Sequence, residues 1–407
     1  MYAPLHTQIP LDSGAVVSGY CDPAFNAVAD TFVRNFRQYG EVGASVCVIV
    51  DGQKVVDLWG GHTDAGGTAP WQRDTVSVVF SCTKAATALC AQLLADRGLL
   101  DLDAPVSRYW PEFGCNGKED ATVLMALNHT IGLPALRQPL KAGAYHDWDY
   151  MADCLAREQP FWTPGSDTGY HLISFGWIVG EIVRRVSGKS LGTFFRDEIA
   201  GPLGLDFWIG LPAELEARVA PVIPFVPGPD TPPTAFLQAV ATEPASISHL
   251  ALMNSGGYSP NKPAAHAAEI GGGGGIGNAR ALARMFEPLA NHGGIGGKAS
   301  APRLLSTERI NAMRLPSSQT ERDRTLLIPT RFAQGFMLRM DNRDLPSDQS
   351  LRIPDGAFGH VGMGGSLVFA DPERRLSFGY TMNRLGGGIL LNERGQSLVD
   401  SVYGCVG

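Results

Sequence analysis

Apolar residues recur at helical spacing between Pro23 and Tyr39, with Phe25, Val28, Phe32 and Phe36 on one stripe, which predicts an amphipathic N-terminal helix. Two β-rich runs follow, Gly43 to Val50 and Lys54 to Trp59, joined by Asp51-Gly52, a pair suited to a tight hairpin turn. Gly60 to Arg73 is polar and glycine-rich and reads as a connection. The apolar, strand-like run Val76 to Phe80 then leads into Ala85 to Arg97, which is rich in strong helix formers and stops at Gly98. The pattern stays mainly helical to about Ala220. It predicts a short helix at Ala121 to Asn128, a longer one at Ser174 to Val186, and a third at Leu191 to Ile199 capped by Ser190. Val222 to Pro244 carries many prolines and reads as an extended loop. Gly271 to Gly275 precedes a helix from Ala279 to about Glu287, and Asn291 to Ser300 is irregular. Strands return only near the end, at Gly365 to Ala370 and Leu376 to Met382, before a closing helix from about Asn392 to Tyr403.

Strands at both ends with helices between them predict an α/β fold: one antiparallel sheet built from both termini, flanked by helices, with an inserted mainly helical domain. On this reading residues 1-84 and 290-407 form the α/β domain, and 85-289 form the helical domain with the substrate-pocket loops.

Composition narrows the function classes. The 407 residues are 44% hydrophobic and 18% charged, as in a folded soluble protein. A net charge of −7 without a basic run argues against nucleic acid or an anionic membrane as partner. The first twenty residues lack the basic start and apolar core of a secretory signal, and runs such as Val46 to Val50 are too short to span a bilayer. Seven cysteines (Cys21, Cys47, Cys82, Cys90, Cys115, Cys154, Cys405), scattered and without Cys-x-x-Cys, predict free thiols in a reducing cytoplasm. The nine histidines are scattered, and no metal-binding spacing appears, so neither metal nor cofactor is expected. His146-Asp147-Trp148-Asp149 is the densest polar group and reads as surface.

Ser81-Cys82-Thr83-Lys84 carries the first chemical signal. Three residues apart at a helix start, Ser81 and Lys84 share one face, beside unpaired N–H groups that favour developing negative charge. That combines a nucleophile with a cationic partner. By itself the tetrapeptide is better read as a capping serine followed by an ordinary surface lysine. Cys82 points about a third of a turn away from both. Gly188-Lys189-Ser190-Leu191-Gly192 has the lipase spacing but follows a helix rather than a strand, so Ser190 reads as a cap. Gly272-x-Gly274-x-x-Gly277 has no strand before it to support a dinucleotide fingerprint, and reads as a loop that could line a pocket.

Two further stretches complete a pattern: Pro164-Gly165-Ser166-Asp167-Thr168-Gly169-Tyr170-His171-Leu172, and Gly359-His360-Val361-Gly362-Met363-Gly364-Gly365-Ser366. With Ser81-x-x-Lys84 they resemble the serine β-lactamase-like proteins, the class C β-lactamases and penicillin-binding proteins, and specifically the family VIII carboxylesterases. Leu100 to Val106, Asn128 to Pro134 and Gly201 to Asp206 support the resemblance, which covers nearly the whole chain. It implies a β-lactamase-like fold and ester hydrolysis through an acyl-serine intermediate. It further implies Ser81 as nucleophile, Lys84 and Tyr170 together as general base with the Tyr170 pKa lowered by Lys84, and an oxyanion hole formed by the backbone N–H groups of Ser81 and Met363. His360 and Gly362 would then lie on the substrate side, where the lactamases have Lys-Thr-Gly. Leu172 stands where lactamases have an amide-binding asparagine, and His360 where they have a carboxylate-facing lysine. Both departures point to neutral short-chain esters as the small-molecule partner. The alternatives within the fold are a β-lactamase, a D-amino-acid peptidase or amidase, and an acyltransferase. Outside enzymes, a catalytically silent binding or sensor module would keep the same fold.

Overall fold

The computed structural model describes residues 6–228, 233–297, 303–345 and 349–407. Its centre is a seven-stranded antiparallel sheet in the spatial order His6–Pro10, Val16–Cys21, Gln53–Gly61, Gly43–Val50, Leu376–Met382, Leu367–Asp371, Phe358–Val361. The two ends of the chain meet where Gly43–Val50 pairs with Leu376–Met382, so the sheet is built from both termini. The hairpin between Gly43–Val50 and Gln53–Gly61 turns at Asp51 and Gly52, with φ of 51° and 71°. Two left-handed residues give the turn whose twist matches the strands, which explains the Asp-Gly pair.

Helices cover both faces. The N-terminal helix Asn26–Gln38, entered through a short turn capped by Asp22, packs with the C-terminal helix Glu393–Val406, which Asn392 caps. Phe25, Val28, Phe32, Leu398 and Val402 bury their side chains against the strands there. The helix Ala279–Ala290 lies on the opposite face, against the three strands Gly43–Val50, Leu367–Asp371 and Leu376–Met382.

The helix Cys82–Asp96 is buried continuously from Cys82 to Leu94. It packs against the helix Ser174–Ser187 on one side and the strand Phe358–Val361 on the other. A helix apolar all round belongs in a core, and this one sits where the sheet meets the helical residues. Among the described residues no helix is long and apolar enough to cross a membrane.

Three expectations need correction. Val222 to Pro244 is not one extended loop: Ala235–Thr242 is a helix, capped by the Thr234 hydroxyl, and Ile247–Met253 follows it, capped by Ser246. No proline falls between Pro233 and Pro244, so nothing within Ala235–Thr242 opposes helix formation. Strands do not wait for the end of the chain either. Phe207–Trp208, Ile276–Gly277 and Val219–Ala220 join the expected strand at Val76–Val78 in a small second sheet, and Ser318–Thr320 pairs with Thr330–Phe332. Strands of two or three residues are too short to show a period. His6–Pro10 and Val16–Cys21 are also strands that the hydrophobic pattern does not single out. Parts of two predicted irregular stretches, 229–232 and 298–300, lie outside the described residues.

Candidate active site

The strand Val76–Val78 ends at a strained turn. Phe80 has φ of 47°, a left-handed conformation that costs a residue with a side chain about 1–3 kcal/mol. The turn delivers Ser81 to the first position before the helix Cys82–Asp96, and Lys84 one turn later. Lys84 is fully buried. Its Nζ lies 3.0 Å from Ser81 Oγ and donates to the carbonyls of Leu172 and Gly272, each at 2.6 Å. Burial holds the amine's pKa well below the usual lysine value. As the free base, whose two hydrogens the two carbonyls would take, the amine would turn its lone pair toward the Ser81 hydroxyl.

Tyr170 is 3% exposed, and its ring centroid lies 4.8 Å from Lys84 Nζ. Its hydroxyl is buried without a hydrogen bond of good geometry. Burial pushes the phenol pKa well above its usual value, and the neighbouring Ser81 hydroxyl draws it only partly back. The expected lowering of the Tyr170 pKa by Lys84 is therefore overturned. Burial raises the phenol itself, and the same desolvation disfavours the ammonium form of Lys84 that would favour a phenolate.

Three buried histidines surround this pair. The His129 ring stands 4.9 Å from Tyr170 and 5.5 Å from His171, and the His360 ring 6.1 Å from Tyr170. Burial holds all three pKa values low, those of His171 and His360 to about 3. Each is a neutral imidazole. His360 Nδ1 is 2.8 Å from the Val361 carbonyl, which fixes it as the N–H tautomer.

Asp323 supports Tyr170 from behind. It is fully buried and accepts the Tyr170 N–H at 2.9 and 3.0 Å, those of Thr325 and Leu326 at 2.8 Å, and the Thr330 hydroxyl at 3.2 Å.

On the far side of Ser81, the turn 362–366 leaves the edge strand Phe358–Val361. Gly362 is obligatory: a Cβ there would come within 2.2 Å of the Val79 carbonyl and 2.1 Å of Ser366 Oγ. Neither the Ser81 nor the Met363 amide donates a backbone hydrogen bond among the described residues. Both residues line the same pocket, so two free N–H groups are available beside it.

That pocket, about 210 Å³, runs from Ser81 and Tyr170 past Leu172 and Ile173 to Tyr145 and Phe236. Among the described residues, none of those lining it carries a charge.

The structure thus brings Ser81, Lys84, Tyr170 and Met363 together. His360 and Gly362 pack behind the pocket wall and do not line it. Cys82 is buried against the His360 carbonyl at 3.3 Å, with its thiol pKa pushed up to about 12, which removes it as a nucleophile. Ser190 caps its helix and donates to Glu269 at 2.7 Å. The glycine run that resembles a dinucleotide loop presents Gly272 O to Lys84 and Gly273 to the pocket. The Leu172 and Gly272 carbonyls and Asp323 escape sequence reasoning, since backbone acceptors and a lone aspartate carry no motif.

Comparison with known proteins supplies relatives for this geometry. The Beta-lactamase family matches residues 29–397. The chain is 37% identical over 389 residues to Esterase/beta-lactamase LipL of Mycobacterium tuberculosis (strain ATCC 25618 / H37Rv), covering 92% of this chain and 84% of that protein. A crystal structure of a family VIII carboxylesterase matches at 37% identity with a TM-score of 0.83, covering 96% of this chain and 99% of the other. A novel penicillin-binding protein homologue from Caulobacter crescentus matches at 34% identity, also with a TM-score of 0.83 and the same coverage.

Proposed function

The chain belongs to the beta-lactamase family, and on that premise we propose that it is a carboxylesterase of the family VIII type, acting through an acyl-Ser81 intermediate. One observation carries the reading: a fully buried Lys84 amine, its pKa lowered by that burial, 3.0 Å from the Ser81 hydroxyl, at the end of a pocket whose described lining has no charged group.

In this mechanism the Lys84 amine takes the Ser81 proton as Oγ attacks the ester carbonyl. The oxyanion is held by the Ser81 and Met363 amides. As the carbon–oxygen bond breaks, Tyr170, still protonated, gives its proton to the leaving alkoxide and is reprotonated from the Lys84 ammonium. Water then attacks the acyl-enzyme, losing its proton to the same pair, and Ser81 recovers its proton when the acid departs. His360 contributes a neutral wall behind Tyr170, and Gly362 keeps the Met363 turn close to Ser81.

The uncharged lining favours neutral esters over β-lactams, whose carboxylate would enter without a partner. The partner in this reading is a small ester alone, and the seven free thiols support a cytoplasmic setting. A serine-directed phosphonate followed by peptide mapping tests the assignment: the label is expected on Ser81, and a label elsewhere overturns it. Faster turnover of nitrocefin than of p-nitrophenyl butyrate would make the protein a β-lactamase instead, and no acylation at all would make it a binding module.

A further inference from the structure

A second small void, about 20 Å³ and lined mostly by apolar residues with Ser174 and Asn254, adjoins the substrate pocket, and Tyr145 and Ile173 line both. They are the partition between the two. Tyr145 sits on a short turn, Ala144–His146, and its ring wedges between Trp177, at 4.9 Å between centroids, and Tyr258, at 5.5 Å. Its hydroxyl has only a 3.5 Å contact to the Asn254 carbonyl. The ring is therefore held by packing, and the far void is lined by Leu136, Leu140, Met151 and Trp177. An aromatic residue that closes a pocket against further apolar space acts as a stop.

The reacting geometry says which end of the ester meets this stop. With the oxyanion at the Ser81 and Met363 amides and the leaving oxygen at Tyr170, the acyl substituent takes the remaining direction, along Leu172 and Ile173. We propose that Tyr145, with Ile173, is the stop of the acyl subsite, so that the enzyme selects uncharged esters of short straight-chain acids and rejects longer ones. This rests on the esterase reading of the same site. The pocket of about 210 Å³ must hold both the acyl chain and the alcohol, so the chain that ends at Tyr145 is short.

The test is kcat/KM for p-nitrophenyl esters from acetate to decanoate, in the wild-type protein, Tyr145→Ala and Ile173→Ala. In the wild type each accommodated methylene is expected to raise kcat/KM up to about fourfold, with a fall once the stop is reached. Removing the Tyr145 ring joins the two spaces, and the octanoate-to-butyrate ratio is expected to rise at least tenfold. Ile173→Ala opens the same partition with a smaller loss of packing and is expected to shift the ratio in the same direction, which covers the case where Tyr145→Ala does not fold. A parallel series of alkyl acetates varies only the alcohol, and its ranking is expected to stay as in the wild type. Variants that fold and label at Ser81 yet keep the wild-type acyl profile overturn the proposal, as does a shift confined to the alcohol series. Failure of the wild-type protein to label at Ser81 would instead sink the esterase reading, so the two failures are distinguishable.

Discussion

The Ser366 hydroxyl donates to the Val79 carbonyl at 2.8 Å, tying the turn that carries Met363 to the turn that carries Ser81. These residues are 287 positions apart, and the bond fixes how far the two free amides stand from each other. Ser366→Ala is expected to lower kcat about five- to tenfold, the effect of one net hydrogen bond, with KM almost unchanged. The affinity for a boronate that mimics the tetrahedral intermediate should fall by the same factor. A change in KM alone would show that the bond serves only the fold.

The Lys84 amine, depressed by burial, gives a pH signature. A lysine at its ordinary value of about 10.4 would leave kcat/KM rising tenfold per unit between about pH 7 and 9. With the pKa lowered, the rise is expected to end in a plateau at a lower pH than an ordinary lysine would give, with loss of rate as acid protonates the amine. Lys84→Arg, permanently charged, should lose about 10²–10⁴ in kcat.

Tyr170 as a proton donor to the leaving group predicts an unequal effect of Tyr170→Phe. Alkyl alkoxides need the proton and nitrophenolate does not. The variant should lose at least about tenfold more kcat/KM on ethyl butyrate than on p-nitrophenyl butyrate. Equal losses on the two esters would return Tyr170 to the role of base.

Asp323 links the site to stability. Burial pushes its carboxyl up to about 6. The folded value lies above the unfolded value of about 3.9, so between these pH values the folded state binds more protons and stability falls as pH rises. Urea midpoints across about pH 4 to 6 should show this slope in the wild type and lose it in Asp323→Asn. The variant should also turn over more slowly, because its amide N–H groups oppose the backbone donor of Tyr170.

Glu41 and Arg394 pair at 2.7 Å in the core, with the Tyr380 hydroxyl also on Glu41, joining the start of the central strand to the C-terminal helix. Removing one member leaves the other buried and unpaired, so Glu41→Gln should cost about 3–5 kcal/mol in urea unfolding. The Ser81 phosphonylation rate at low temperature should remain near wild type, because the pair does not line the pocket.

Much of this protein is written in short-range patterns. The Asp51-Gly52 hairpin, the stripe of Phe25, Val28 and Phe32, and the Ser81-to-Lys84 spacing each act through neighbours in sequence. Turn geometry, helical periodicity and the one-turn rise are local properties of the chain. They were enough to reveal a sheet built from both ends and, joined with the distant stretches around Tyr170 and His360, the proposed nucleophile with its lysine. What the lysine does was decided only in three dimensions. Its charge state depends on burial by residues from all over the chain and on the Leu172 and Gly272 carbonyls, and no spacing encodes a desolvation energy. The same holds for the protonated Tyr170, for Asp323 behind it, and for His360, which sequence order set beside the substrate and packing withdrew behind the wall. Desolvation and close approach are sums over contacts between distant segments, and they exist only once the segments have packed.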